Sequence, residues 1–317
     1  MKLKFLAGLV LAAGLTSTAM AQSVGVGTMS QGTMSYSSGS SIAKVIAEKA
    51  GLQARVQPNS GESVLIPLID TGELDFGIAN VIEADEAING HRVFKDRPAK
   101  NVRIAAVMFP LATAMFVRAD SNIKTVADLK GKSITYGFTA MGTINTILDA
   151  LLATGGLKPT DVKQVMVPNV ARGAEEFAAG NVDAFFFAVG AAKVTEVDAT
   201  VGGLRMLPIG TDEAATKAMK AIFPYGYAAV QKPRPGLAGV TEPTAALAYD
   251  NLLLTSTNAK DDVVYKAVKA IYENQPELAA SFAPFRAFDV KQMHKTDIPG
   301  EFHPGALKFY REVGLAK

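Results

Sequence analysis

The sequence predicts an α/β protein made of two similar lobes with a hinged cleft between them. A β-prone run, a polar loop, a helix and an apolar strand follow one another between residues 23 and 80. A strand, a helix and an apolar strand recur in that order between residues 161 and 189. In both parts a Gly-x-x-Asp turn directly precedes the apolar strand, at residues 72–75 and 180–183. This order is typical of parallel sheets, and its recurrence indicates two related α/β units.

The first 21 residues have the features of an export signal. Lys2 and Lys4 form a basic start, and the apolar run over 5–15 is too short to span a bilayer. A small-x-small tripeptide ends at Ala21. We therefore expect cleavage after Ala21 and a periplasmic location for the rest of the chain.

Composition excludes several kinds of site. The chain contains no cysteine, which excludes disulfides, thiol nucleophiles and thiolate metal ligands. The formal net charge is +2, and without the two lysines of the leader the chain is neutral, so no nucleic-acid partner is expected. The three histidines, His91, His294 and His303, show no metal-ligand spacing. A near-match to a dinucleotide fingerprint at residues 25–30 lacks the third glycine, so no cofactor is expected.

The first lobe is predicted to begin with three strands and two helices. The strands cover 23–27, 53–57 and 76–79, and the helices cover 41–50 and 64–71. Residues 28–40 are rich in Gly, Ser and Thr and are predicted as a loop. The acidic residues Glu83, Asp85 and Glu86 are interpreted as a solvated helix start.

The second lobe is predicted to follow two β-prone runs, 102–109 and 113–118, with the crossing at 118–120. Its predicted elements are a short helix capped by Thr125, strands over 133–136, 161–167 and 184–189, and helices over 144–152, 169–179 and 192–197. The remaining predictions are a helix over 211–221, a return strand over 228–231, a helix or strand over 247–256, and helices over 261–274, 276–282 and 304–313. The predicted lobes are residues 22–116 with 228–317, and residues 117–227.

Five polar or small-residue segments lie at the carboxyl ends of predicted strands, where open α/β sheets bind ligands. They are residues 28–40, 58–63, 80, 139–143 and 190–191. The start of the 144–152 helix is expected to attract an anion, because its first N–H groups lack partners. No nucleophile–base pair is visible, which favours binding over catalysis. The Ser-x-x-Lys pattern at Ser41 and Lys44 lacks its partner motifs, so a secreted hydrolase is a weaker alternative.

The assembled motifs resemble the TAXI family, the solute receptors of TRAP (tripartite ATP-independent periplasmic) transporters. The resemblance rests on Arg-Ala-Asp-Ser at 118–121 with Asp-Leu-Lys-Gly-Lys at 128–132, on Gly142-Thr143, and on Gly-Asn-Val-Asp-Ala-Phe-Phe-Phe at 180–187 followed by Gly190. Gly-Glu-Ser at 61–63 and the turn at 72–75 also fit. The resemblance implies a type II periplasmic-binding-protein fold whose lobes close over a small organic anion, such as a glutamate-like amino acid, a dicarboxylate or a keto acid. It also implies delivery to a TRAP membrane permease.

The predicted ligand-binding residues come from both lobes. They are Thr33, Tyr36, Ser60 and Asn80 from the first lobe, and Thr139, Gly142, Thr143, Phe187 and Gly190 from the second. Tyr36 is included because it occupies the place of a tyrosine in the family's first loop. None of the five segments contains Arg or Lys, so N–H groups and hydroxyls are expected to recognise the anion. The receptor is expected to be a monomer. An ABC-importer binding protein for a sulfonate or aromatic acid, and a sensory receptor that docks on a membrane kinase, remain alternatives.

Overall fold

A computed structural model describes residues 22–317; the predicted export signal lies outside the described residues. The strands are β1 (Ser23–Thr28), β2 (Gln53–Pro58), β3 (Phe76–Asn80), β4 (Val102–Arg118), β5 (Ser133–Tyr136), β6 (Lys163–Met166), β7 (Phe185–Ala188), β8 (Leu204–Met206), β9 (Tyr227–Gln231) and β10 (Thr244–Ser256). The α-helices are α1 (Met34–Lys49), α2 (Glu62–Thr71), α3 (Val81–Asn89), α4 (Ile144–Thr154), α5 (Val170–Ala178), α6 (Ala192–Val201), α7 (Glu213–Ile222), α8 (Asp261–Glu273), α9 (Gln275–Ser281) and α10 (Pro304–Glu312).

The sheet of the first lobe is parallel at its outer edge, as the sequence predicts. β1 lies between β2 and β3 and is parallel to both. β10 then pairs antiparallel with β3 on one side and with β4 on the other. The apolar run over 247–256, predicted as a helix or a strand, is therefore a strand in the middle of the sheet. Because it is buried on both faces, it shows no period-two alternation that would identify it.

Two long strands connect the lobes. The two β-prone runs predicted before the crossing form a single strand, β4, which continues through Pro110. The second half of β4 pairs with β7 and β8, and the start of β10 pairs with β9. The pairing of β4 with β7 begins at Thr113, ahead of the lobe boundary predicted at residue 117. The register of β10 shifts just after Asp250, which lies opposite Pro110. A proline has no N–H to donate, so the ladder is weakened at this point.

The two Gly-x-x-Asp turns have the same structural role in both lobes. Asp75 accepts a 2.8 Å hydrogen bond from the backbone N–H of Gly25 in β1. Asp183 accepts a 2.8 Å bond from the backbone N–H of Ser133 in β5. In each case the carboxylate of the turn ties the start of the strand that follows it to a neighbouring strand: β3 to β1, and β7 to β5. Gly72 and Gly180 both have a φ of 82°, a left-handed conformation that favours glycine.

The remaining elements, the β5–β6 pair of the second lobe and the C-terminal helices, pack against the strands described above. β5 and β6 form a parallel pair, and a backbone bond from Thr135 to Ala184 joins them to the strand that leads into β7. The C-terminal helices pack on the first lobe, where the Tyr310 hydroxyl donates a 2.6 Å bond to the carbonyl of Ala105 in β4. Within residues 22–317, no helix has both the length and the apolar character needed to cross a membrane.

Candidate functional site

A cavity lies between the two lobes, at the carboxyl ends of β1 and β3. Its volume is about 30 Å³, which is room for about two water molecules. Apolar side chains form most of its wall, and Met29, Met141, Ile144, Phe186 and Phe187 are among them. The lobes touch around this space, so a ligand of amino-acid size requires them to move apart.

The polar part of the wall comes from the first lobe and from the connecting strands. Thr33, Ser35, Glu62 and Asn80 belong to the first lobe. Thr113, Tyr249 and Asn251 belong to β4 and β10. Burial raises the pKa of Tyr249, so its hydroxyl keeps its proton and can donate. Among the described residues that line the cavity there is no lysine, arginine or histidine.

Helix α1 begins earlier than the sequence predicts, and this shapes the first loop. Thr33 caps the helix by accepting a 3.2 Å bond from the N–H of Tyr36, and its hydroxyl donates to the carbonyl of Ser30 at 2.7 Å. The prediction of a loop over 28–40 is therefore wrong from residue 34 onward. Tertiary packing outweighs the poor helix propensity of these residues. A Cβ on Gly39 would lie 2.2 Å from Cγ2 of Thr28, so only a glycine lets the helix lie this close to β1.

Two buried carboxyl groups lie in the first lobe, and one of them, Glu62, lines the cavity. Glu62 is the first residue of α2 and is 3% exposed, and Glu83 in the first turn of α3 is 0% exposed. Oε2 of Glu62 and Oε1 of Glu83 have no donor partner among the described residues. Each of these carboxyl groups influences the ionisation of the other. We call Glu62 and Glu83 the carboxyl pair.

Burial is the main cause of the altered acidity of the carboxyl pair. It raises the pKa of Glu62 to about 7, against the opposing effect of the backbone N–H and of Glu83. It also raises the pKa of Glu83 strongly, and the nearby charges of Glu62 and Glu86 add to this effect. Asn80 holds Glu83 in place, because its Nδ2 donates to Glu83 Oε2 at 2.8 Å while its Oδ1 caps α3. Burial therefore favours the protonated state of both carboxyl groups, compared with a carboxyl group in water.

The start of α4, predicted to bind an anion, faces a carboxylate of the protein itself. The Thr143 hydroxyl donates a 2.8 Å bond to Glu86 Oε2, and the Thr146 hydroxyl donates a 3.3 Å bond to Glu86 Oε1. Arg92 Nε lies 3.2 Å from the same carboxyl group. Burial raises the pKa of Glu86, while the bond from Thr143 and the charge of Arg92 oppose that shift. We call these four side chains the interlobe contact, because Glu86 belongs to the first lobe and the two threonines to the second.

Backbone packing brings the lobes equally close beside the interlobe contact. The N–H of Gly142 donates to Ser63 Oγ at 3.3 Å. A Cβ on Gly142 would lie 2.2 Å from Cγ1 of Val93, and a Cβ on Gly61 would lie 2.3 Å from the carbonyl oxygen of Ala140. Both glycines therefore permit close approach of the lobes. The interpretation of Glu83 and Glu86 as a solvated helix start is wrong, because both are buried, and Glu86 contacts the second lobe.

Comparison with known families identifies the chain. A family model for the NMT1-like family matches residues 26–314. The chain belongs to the NMT1-like family.

Solved structures show the fold of this NMT1-like protein. The amino acid ABC transporter substrate-binding protein AbpA from Streptococcus pneumoniae, bound to L-arginine, is 13% identical, with a TM-score of 0.52 over 86% of this chain and 97% of that chain. An ancestral arginine-binding protein bound to arginine is 17% identical, with a TM-score of 0.50 over 84% of this chain and 96% of that chain. The substrate-binding protein of another amino acid ABC transporter is 18% identical, with a TM-score of 0.50 over 82% of this chain and 99% of that chain. The predicted two-lobed α/β fold of periplasmic binding proteins is confirmed.

The structure brings some of the predicted ligand-binding residues of the NMT1-like protein to the cavity and not others. Thr33, Asn80 and Phe187 line it. The rest lie elsewhere: Tyr36 half-buried in the first turn of α1, Ser60 in a crevice beside Met29 and Met141, Thr139 exposed, Gly142 and Thr143 against the first lobe, and Gly190 near Leu237. Ligand contacts at all nine positions stay predictions.

The sequence reasoning did not select the carboxyl pair, Tyr249 or Asn251. Glu62 lay inside the predicted 58–63 segment, so a signal for it was available. Tyr249 and Asn251 lie in an apolar strand with no local sign of a site.

The Ser-x-x-Lys pattern does not form a reactive site. Ser41 lies inside α1, where its hydroxyl donates a 3.0 Å bond to the carbonyl of Ser37. Lys44 is exposed, and neither residue lines the cavity. Within residues 22–317, no group of three or more His, Cys, Asp or Glu side chains is placed to hold a metal ion.

Proposed function

We propose that this NMT1-like protein is an extracytoplasmic solute-binding receptor. It captures a small solute between its lobes and presents the loaded, closed form to a membrane transporter. The observation that carries the proposal is the interlobe cavity itself, which combines apolar walls, a few buried polar groups and a direct contact between the lobes at its edge. The export signal predicted over residues 1–21 supports a location outside the cytoplasm.

Two kinds of transporter are candidates for the partner. The resemblance to the TAXI family favours a TRAP permease driven by a cation gradient. The solved structures of similar fold include substrate-binding proteins of amino acid ABC transporters, which supports an ABC importer at least as well. Uptake of the bound solute by vesicles containing the transporter separates them, because a TRAP permease requires the ion gradient and an ABC importer requires ATP.

The charge of the solute is a separate question from the type of transporter. The expectation of a small organic anion relied on free N–H groups and hydroxyls at the start of α4. In the structure Glu86 accepts a hydrogen bond from the Thr143 hydroxyl there, and the cavity wall includes the carboxyl group of Glu62. A panel of candidate solutes therefore has to include cations and neutral compounds beside the predicted acids.

A thermal-shift screen of the mature protein tests the proposal. The panel contains amino acids, dicarboxylates, keto acids, sulfonates, aromatic acids and small amines. A ligand present at a hundred times its dissociation constant stabilises the protein by about 2.7 kcal/mol. For a chain of this size the expected increase in Tm is about 2–4 °C per kcal/mol.

The screen needs protein freed of copurified solute by unfolding and refolding. A stabilising hit confined to one chemical class supports the receptor function and identifies its ligand class. A flat response over the whole panel contradicts it. Loss of a measurable hydrolase activity in a Ser41→Ala variant would instead favour the enzyme alternative.

A further inference from the structure

We infer that the Glu62 carboxylate is the recognition group for a protonated amine, so that the solute is a small organic ammonium compound. This inference rests on the proposed receptor function, since it names the ligand class of the same cavity. It differs from the anion expected from the sequence.

Glu62 has the geometry of a recognition group. It lines the cavity, is 3% exposed, and its Oε2 has no donor partner among the described residues. Its backbone is fixed at the first residue of α2. The neighbouring Glu83 is held by the amide of Asn80. An ammonium group entering the cavity therefore meets an acceptor that is already positioned.

The described groups that face the carboxyl pair include no positively charged side chain. The pair is faced by Glu86 from α3, by the amide of Asn80 at the end of β3, and by the hydroxyl of Tyr249 from β10. The adjoining side chains of the second lobe, Met141 and Ile144, are apolar. A buried charge without a partner is unfavourable, and a cationic ligand removes that penalty.

The cation of the interlobe contact, Arg92, is already engaged. Arg92 pairs with Glu86 at 3.2 Å, and its side chain is 56% exposed. It does not line the cavity. A ligand carrying only a carboxylate would place a second negative charge beside Glu62 with no cation to compensate it. The apolar walls formed by Met29, Phe186 and Phe187 suit the hydrocarbon part of an amine.

Three matched probes test the inference: butylammonium, butyrate and 1-butanol, which share a hydrocarbon chain and differ in the terminal group. Calorimetric titrations at pH 7.5 compare them on the mature wild-type protein, on Glu62→Gln and on the control Glu73→Gln. Glu73 is exposed just beyond the end of α2, so the control makes the same chemical change away from the cavity. Butylammonium is expected to bind most tightly, and Glu62→Gln is expected to weaken it by about 10- to 100-fold. Glu73→Gln is expected to leave its affinity unchanged.

Proton linkage provides a second measurement that needs only the wild-type protein. Because an ammonium ligand requires the Glu62 carboxylate, binding below neutral pH must release a proton. The affinity for butylammonium should therefore fall by up to about tenfold per pH unit between pH 6.5 and pH 5.5. Titrations in two buffers of different ionisation enthalpy measure the released proton directly. An acid that binds beside a protonated Glu62 would show the opposite sign.

The outcomes separate the inference from the receptor function. Tighter binding of butyrate than of butylammonium, no binding of butylammonium, or an unchanged affinity in Glu62→Gln overturns the inference. The receptor function still stands in those cases if any acid stabilises the protein in the thermal-shift screen. A screen with no hit overturns both.

Discussion

Removing the Thr143 hydroxyl should shift the equilibrium between the closed and open forms toward the open form. Thr143 donates to Glu86 across the lobes at 2.8 Å, and Glu86 is buried when the lobes touch. Thr143→Val keeps the shape of the side chain and deletes the donor. A hydrogen bond to a charged group contributes about 1.5–3 kcal/mol, and in the open form water can replace the lost donor. The closed form should therefore lose about that amount relative to the open form.

The loss corresponds to an apparent affinity for the solute that is about 10- to 100-fold weaker. Calorimetry with the ligand found by screening measures the affinity, and small-angle X-ray scattering measures the radius of gyration with and without that ligand. The variant should be more extended without ligand and should need more ligand to become compact. Thr160→Val makes the same substitution at an exposed position beyond the end of α4 and should change neither quantity.

The comparison with Glu86→Gln decides whether the interlobe contact is responsible. If Thr143 acts through Glu86, the two variants should weaken binding by similar amounts, and the double variant should be little worse than either. Additive effects, or a Thr143→Val protein that is as compact as wild type but binds poorly, would refute this reasoning. The second result would instead place Thr143 in direct contact with the solute. Thr146→Val should have a smaller effect, because its bond to Glu86 is longer, at 3.3 Å.

Two further predictions concern stability. Burial raises the pKa of Glu62 to about 7, so the folded protein binds a proton more tightly than the unfolded chain and should lose stability as pH rises from 4.5 through 7. Glu62→Gln should remove up to about 3 kcal/mol of this loss, as urea denaturation at pH 5 and pH 8 would measure, and an equal pH dependence in both proteins would contradict it. Gly39→Ala should destabilise the protein by about 1–3 kcal/mol, because the added Cβ would lie 2.2 Å from Cγ2 of Thr28. Thr28→Ser removes that methyl group and should restore part of the loss in the double variant, and no difference between single and double variants would contradict the packing argument.

Local sequence signals predicted most of the fold. The βαβ order and the Gly-x-x-Asp turns were read correctly, because strand periodicity and turn chemistry act over a few residues. The start of α1 was not predicted correctly, because the helical conformation of its Ser- and Gly-rich first turns depends on their packing against β1. The close approach of Gly39 to Thr28 is a tertiary contact with no local signature.

The candidate site was only partly predictable for the same reason. Thr33, Asn80 and Phe187 follow or end predicted strands, a position that points to a cleft. The partners that give the site its chemistry are far apart in the chain: Thr143 and Glu86 are separated by 57 residues. Acidic residues at a helix start are usually solvated, so nothing local indicated that Glu83 would be buried.

The strands β4 and β10 make each lobe dependent on the other for its integrity. Both run from the first lobe into the second within one eight-stranded sheet. Neither lobe therefore keeps all the neighbours of its central strands when the other melts. Heat should denature the chain in a single cooperative calorimetric transition, although its two halves look like separate domains. The weakened ladder at Pro110 and Asp250 lets such a protein bend without dividing it into independent folding units.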